Sequence, residues 1–172
     1  SSTGATSQHP LLNYIDELKT NGLLVGGGLS EETRKALADG EPIRLILHIG
    51  PADSPEVENA AILRSNKTEK AVIIAVDPTF SNDDILMRAR NKIESFTDIV
   101  LIKGYFQNIP KNIKFDEIWI LCPYPYSIGK LEVPPGQENV ETDASEWAQH
   151  LAQLLAPNGK LLIVSEGKKD DI

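Results

Sequence analysis

The stretch Ile43-Arg44-Leu45-Ile46-Leu47-His48-Ile49-Gly50 decides the fold of this chain. It is an almost unbroken run of leucine and isoleucine, of strand length, apolar at consecutive positions and closed by a glycine. Such a run belongs in a strand buried on both faces. Four more runs of this kind follow: Ala71-Val72-Ile73-Ile74-Ala75-Val76-Asp77, Asp98-Ile99-Val100-Leu101-Ile102, Glu117-Ile118-Trp119-Ile120-Leu121 and Lys160-Leu161-Leu162-Ile163-Val164. Helix-length amphipathic stretches separate most of them, the pattern of a parallel sheet built from crossover units. We therefore expect strands at 43–49, 71–76, 98–102, 116–121 and 159–165, helices at about 54–65, 81–94 and 143–155, and a long loop at 123–141. Asp53-Ser54-Pro55-Glu56 and Ser81-Asn82-Asp83-Asp84 read as helix starts, since they place capping side chains and acidic residues where free N–H groups gather. The expected architecture is a three-layer α/β domain with a mainly parallel sheet.

Ligands of open α/β sheets sit beyond the carboxyl ends of the strands. Those ends hold Gly50, Asp77, the segment Gly104-Tyr105-Phe106-Gln107 and the segment Cys122-Pro123-Tyr124-Pro125-Tyr126. They are expected to converge on one cleft.

Upstream, residues 1–9 read as a flexible leader and 10–40 as a small helical element ahead of the main domain at 41–172. Leu11, Leu12, Tyr14, Ile15 and Leu18 can share one helical face, and Ser30-Glu31-Glu32-Thr33 is a capped helix start. The two helices are expected to pack across an edge or mouth of the sheet. Gly26-Gly27-Gly28 reads as a flexible hinge, because it lacks the Lys-Ser/Thr that follows the glycines of a phosphate-binding P-loop.

With 172 residues, 41% hydrophobic and 24% charged, the chain has the composition of one globular domain. No apolar run approaches the roughly 20 residues that cross a bilayer, so no membrane partner is expected. Cys122 is the only cysteine, which excludes an intrachain disulfide and fits a reducing, cytoplasmic setting. His9, His48 and His150 stand alone, without metal-ligand spacing, so no metal site is expected. The net charge of −8 works against a broad phosphate-binding surface and disfavours nucleic acid as a partner.

In the order of its motifs, residues 43–165 resemble the class I S-adenosylmethionine-dependent methyltransferases, and the resemblance implies a Rossmann-like sheet with its strands in the order 3-2-1-4-5. His48-Ile49-Gly50-Pro51-Ala52-Asp53-Ser54 stands where that family has its Gly-rich cofactor loop, and Asp77 stands where it has the acid that binds the ribose hydroxyls. Gly104-Tyr105-Phe106-Gln107-Asn108 matches the adenine-binding segment in place, and Leu154-Leu155-Ala156-Pro157-Asn158-Gly159 looks like the family's turn into its fifth strand. The segment from Phe115 to Tyr126 is most similar to tRNA guanine methyltransferases of the N7-methylating type, whose loop reads Phe-Pro-Asp-Pro-Trp. The resemblance implies S-adenosylmethionine held by His48, Gly50, Ala52, Asp77, Tyr105 and Phe106, with Pro123, Tyr124 and Tyr126 shaping the acceptor pocket. It also marks departures: one glycine remains in the loop, Pro51 removes an N–H donor, and His48 replaces an acid.

Two functions follow. One is methyl transfer to a nucleic acid or small molecule. The other is a noncatalytic binding module that keeps the sheet, with a protein partner or dimer mate along the 159–165 strand, since strand edges invite pairing.

Overall fold

The computed structural model describes residues 8–53, 70–121 and 144–164. Within them one sheet is formed by β1 (Leu24–Gly28), β2 (Arg44–Ile49), β3 (Ala71–Val76), β4 (Ile99–Ile102), β5 (Phe115–Leu121) and β6 (Leu155–Val164). Its order is β1-β4-β3-β2-β5-β6, with β1 antiparallel to β4 and the other pairs parallel. The five expected strands thus stand in the expected order 3-2-1-4-5, and a further strand joins beside the third. The described helices are α1 (Pro10–Thr20), α2 (Glu31–Ala38), α3 (Asp83–Ile93) and α4 (Ala144–Leu154). The helix expected at 54–65 lies outside the described residues.

Alternate residues of a strand face opposite sides, so the continuous apolar run of β2 feeds two cores. Leu45, Leu47 and Ile49 join Val72, Ile74, Val76, Val100, Ile102, Ile118 and Ile120 in one layer, closed by Leu11, Leu12, Ile15 and Leu18 of α1 and Leu151 and Leu154 of α4. Ile46 joins Ile73, Ala75, Ile99, Leu101 and Trp119 in the other, closed by Phe80 and by Leu86, Ala89 and Ile93 of α3. Burying each Leu or Ile stabilises the fold by roughly 1.5–3 kcal/mol relative to leaving it in water. Helix α1 therefore covers a face of the sheet, where an edge or mouth was expected.

Side chains fix the local ends. His9 caps α1, its Nδ1 accepting from the Leu11 N–H at 3.0 Å. Ser30 caps α2 by accepting from the Thr33 N–H at 3.1 Å. Asp98, at a φ of +64°, accepts from the Ser30 N–H at 2.9 Å and the Thr33 hydroxyl at 2.8 Å, tying α2 to the start of β4.

The glycine run is not a hinge. It is part of the edge strand β1, with Gly26, Gly27 and Gly28 paired to Leu101, Val100 and Ile99. The strand needs glycine because it lies so close to β4: a Cβ on Gly27 would fall 1.8 Å from the Ile99 carbonyl oxygen, and one on Gly26 would fall 2.8 Å from Leu101 Cδ1. Glycines in a strand often mark such close backbone approach.

Strand β6 also starts earlier than expected. Helix α4 ends at Leu154 and the strand begins at Leu155, with the register jumping from Phe115↔Leu155 to Glu117↔Lys160. The Pro157-Asn158-Gly159 turn is thus absorbed as an irregularity within the strand, with Asn158 at a φ of +66°.

Candidate functional site

Backbone hydrogen bonds bring three strand ends together. The Gly50 N–H donates to the Val76 carbonyl at 2.9 Å, the Asp77 N–H to the Ile102 carbonyl at 3.0 Å, and the Gly104 N–H to the Asp77 carbonyl at 3.4 Å. Gly50, Asp77 and the Gly104-Tyr105 segment therefore sit side by side at the carboxyl ends of β2, β3 and β4, as the crossover pattern requires. Cys122, Pro123, Tyr124 and Tyr126 lie outside the described residues.

Asp77 is 2% exposed, and its carboxylate is engaged on both oxygens. Oδ1 accepts from the Thr79 N–H at 2.8 Å and the Thr79 hydroxyl at 2.7 Å, which closes the turn Pro78–Ser81. Oδ2 accepts from the Ala52 N–H at 2.6 Å. The loop after β2 is thus drawn onto the end of β3. Gly50 and Ala52 take φ values of +69° and +52° to make that turn; glycine adopts this region freely and alanine does not. Asp53 holds the far side of the loop, its Oδ2 paired with Arg88 Nε of α3 at 2.9 Å.

His48 is placed differently. It lies opposite Ala75 of β3 and Trp119 of β5, fully buried, its ring edge-on to the Trp119 ring at 6.3 Å. Neither ring nitrogen has a hydrogen-bond partner among the described residues. Loss of hydration disfavours the charged form and pushes its pKa down to about 3. At neutral pH His48 is an uncharged ring in an apolar layer.

Tyr105 and Phe106 also separate. Phe106 is fully buried in the layer under α1 and α4, edge-on to His150 at 5.4 Å. Tyr105 is half-buried at the strand end, so it has ring surface left for stacking. Reading the sequence gave no role to Ala52 as a donor to Asp77, to the Asp53–Arg88 pair or to His150. Only the residue types at the two strand ends hinted at the first of these.

A second cleft, of about 980 Å³, opens at the opposite end of the sheet between the amino ends of β2, β3, β5 and β6. Several of its charges are paired: Arg44 with Glu117, and Lys70 with Glu41 at 3.8 Å and with Glu32, outside the cleft, at 3.2 Å. Among the described residues no cluster of His, Cys, Asp and Glu is arranged to hold a metal, and no helix is long and apolar enough to cross a membrane.

No protein-family model matches this chain, and no curated protein matches it by sequence. Its fold, however, is found in solved structures. The 16S rRNA methyltransferase KamB superposes with a TM-score of 0.51 at 13% identity, over 83% of this chain and 63% of that one. The chain has the class I S-adenosylmethionine-dependent methyltransferase fold. A 16S rRNA (adenine(1408)-N(1))-methyltransferase from Catenulisporales acidiphilia (a mutant form) matches at a TM-score of 0.48 and 18% identity, over 82% of this chain and 62% of that one. A glycopeptide N-methyltransferase, MtfA, solved with S-adenosylmethionine, matches at 0.44 and 16%, over 80% and 54%. The chain spans just under two thirds of the length of the two ribosomal-RNA enzymes. These structures lend no support to a special likeness to tRNA guanine methyltransferases.

Proposed function

We propose that this chain is a cytoplasmic S-adenosylmethionine-dependent methyltransferase domain that holds its cofactor at the carboxyl ends of β2, β3 and β4. The observation that carries the reading is the stitching of Gly50, Asp77 and Gly104 into one strip of backbone in the methyltransferase strand order. The residues fit the nucleoside half of the cofactor. Asp77 is an acceptor for ribose hydroxyls, the Gly50 turn lets backbone approach closely, and Tyr105 offers a half-buried ring for an adenine face. When bound, the cofactor supplies an electrophilic methyl group on a sulfonium. The chain's share of the chemistry is then to orient that group and the acceptor within attack distance. Pro123, Tyr124 and Tyr126 are our candidates for lining the acceptor. The acceptor class is RNA or a small molecule; KamB's rRNA substrate favours the first and the net charge of −8 the second. The finer likeness to tRNA guanine N7 methylation rests on the Phe115–Tyr126 segment alone. Titration calorimetry with S-adenosylmethionine and S-adenosylhomocysteine tests the reading: binding by both supports it, and heats indistinguishable from dilution at millimolar ligand overturn it.

A noncatalytic interaction module is the second reading, favoured by β6. Leu161 and Leu162, on opposite faces of that strand, are 39% and 45% exposed, and β6 pairs only with β5 among the described strands. Uncovered apolar edges recruit partners. Sedimentation at several concentrations separates the cases: a protein or dimer mate on β6 requires concentration-dependent mass or a captured partner, and a strict monomer removes the dimer.

A further inference from the structure

We propose that the hydrogen bond from the Ala52 N–H to the Asp77 carboxylate is a latch. A ligand bearing a vicinal diol takes Asp77 by displacing that bond, so binding and opening of the Gly50–Asp53 loop are one event. The identity of the diol rests on the S-adenosylmethionine reading above; the latch itself is a property of the chain.

A carboxylate offers roughly four acceptor positions. On Asp77 three are filled, by the Ala52 N–H at 2.6 Å, the Thr79 N–H at 2.8 Å and the Thr79 hydroxyl at 2.7 Å. Two hydroxyls of a diol need two positions, so one donor must leave. The Thr79 donors stand two residues downstream inside the turn Pro78–Ser81, and releasing them means undoing that turn. The Ala52 donor sits on a loop and is free of that constraint. Its φ of +52° is unfavourable for a residue with a Cβ, so opening relieves strain. Asp77 is also only 2% exposed, so a ligand reaches its carboxylate only if a neighbouring segment moves.

The same contacts define the motion. Gly50, at a φ of +69°, keeps its N–H on the Val76 carbonyl and serves as the pivot, a place where glycine costs least. Asp53 is tethered to Arg88 by an ion pair whose side chains are 39% and 52% exposed, weak enough to break on binding.

Amide hydrogen exchange of the intact chain tests the latch first without ligand. The Ala52 amide should be protected, and Asp77→Asn should speed its exchange about tenfold or more while leaving the Gly50 amide unchanged. Adding S-adenosylhomocysteine to the wild type should cost the Ala52 amide its protection while the Gly50 and Thr79 amides keep theirs. Arg88→Gln, which cuts the tether, should tighten that binding by up to about fivefold. An Ala52 amide that exchanges freely without ligand, or one that stays protected when S-adenosylhomocysteine binds, overturns the latch and leaves the cofactor reading standing. A protected Ala52 amide with no binding at millimolar ligand overturns the proposal through the cofactor reading instead, so the two failures are distinct.

Discussion

Asp77 at the end of β3 and His48 near the end of β2 are both sealed from water, at 2% and 0% exposure, in opposite circumstances. The Asp77 carboxylate sits in a nest of three donors. His48 has no partner among the described residues and gives up its charge. Burial of a polar group is tolerable in either way, by complete hydrogen bonding or by neutralisation. The two routes place stability and function differently. The nest couples two loops and makes Asp77 a hub whose bonds a ligand can compete for. The neutral histidine couples nothing, but it links the fold to pH.

The comparison breaks first at Asp77. Asp77→Ala leaves the Ala52 N–H, the Thr79 N–H and the Thr79 hydroxyl without an acceptor. Ala52 is half-buried and Thr79 is exposed, so water replaces part of what is lost. Hydrogen bonds to a carboxylate contribute about 1.5–3 kcal/mol each before that compensation, and we expect a loss of about 3 kcal/mol in urea denaturation at pH 7. A loss below about 1 kcal/mol would mean that the donors are hydrated and that the nest does not hold the loop.

His48 sets the second effect. Its folded pKa, about 3, lies below the 6.5 of the free side chain, so the unfolded chain binds a proton that the folded one refuses. Stability is therefore fully present above pH 6.5 and falls as the pH drops from there toward 3, by about 1.4 kcal/mol per unit. Between pH 7 and pH 5 that amounts to about 2 kcal/mol, over and above the titration of the carboxylates. His48→Leu removes this term, so the stability difference between variant and wild type should widen by that amount across the interval. Parallel slopes for the two proteins would place His48 in contact with water or a partner.

At pH 7 the same substitution isolates a smaller quantity. His48→Leu replaces two unpaired nitrogens by carbon in an apolar layer, and replacing an unsatisfied buried group in this way relieves about 1 kcal/mol or more. The variant should melt higher than the wild type. A variant that melts lower would show that the ring's edge-on packing against Trp119 outweighs its unpaired nitrogens.

How much of this was readable in the sequence depended on what each element buries. Strands β2 to β6 announce themselves because each contains a continuous apolar run, and their order was implied by the resemblance of the motif order. Strand β1 was unreadable as a strand because Gly26, Gly27 and Gly28 bury no side chain. Gly27 and Gly26 are glycine because of the Ile99 carbonyl and the Leu101 side chain, brought near only by the tertiary fold. Gly50 and Asp77 were readable as residues at neighbouring strand ends, where backbone hydrogen bonds hold them side by side. The engagement of Asp77 was not, since its Ala52 partner stands 25 positions away. The burial of His48 was half readable: it is two residues from Ile46, and strand alternation puts both on one face. The single acid-to-histidine exchange drew attention to the ligand when the ring in fact joins the core.

The smallest effect dissects the nest itself. Thr79→Val removes the hydroxyl donor at 2.7 Å from Asp77 Oδ1 and leaves the Thr79 N–H at 2.8 Å in place. Thr79 is exposed, so the lost bond is partly replaced by water, and the cost should be about 0.5–1 kcal/mol. Because the Thr79 and Ala52 donors act on different oxygens, exchange at the Ala52 amide should scarcely change in this variant, whereas Asp77→Asn disturbs it strongly. Equal acceleration of the Ala52 amide in both variants would show that the three donors act as one cooperative unit, in which no single bond opens ahead of the rest.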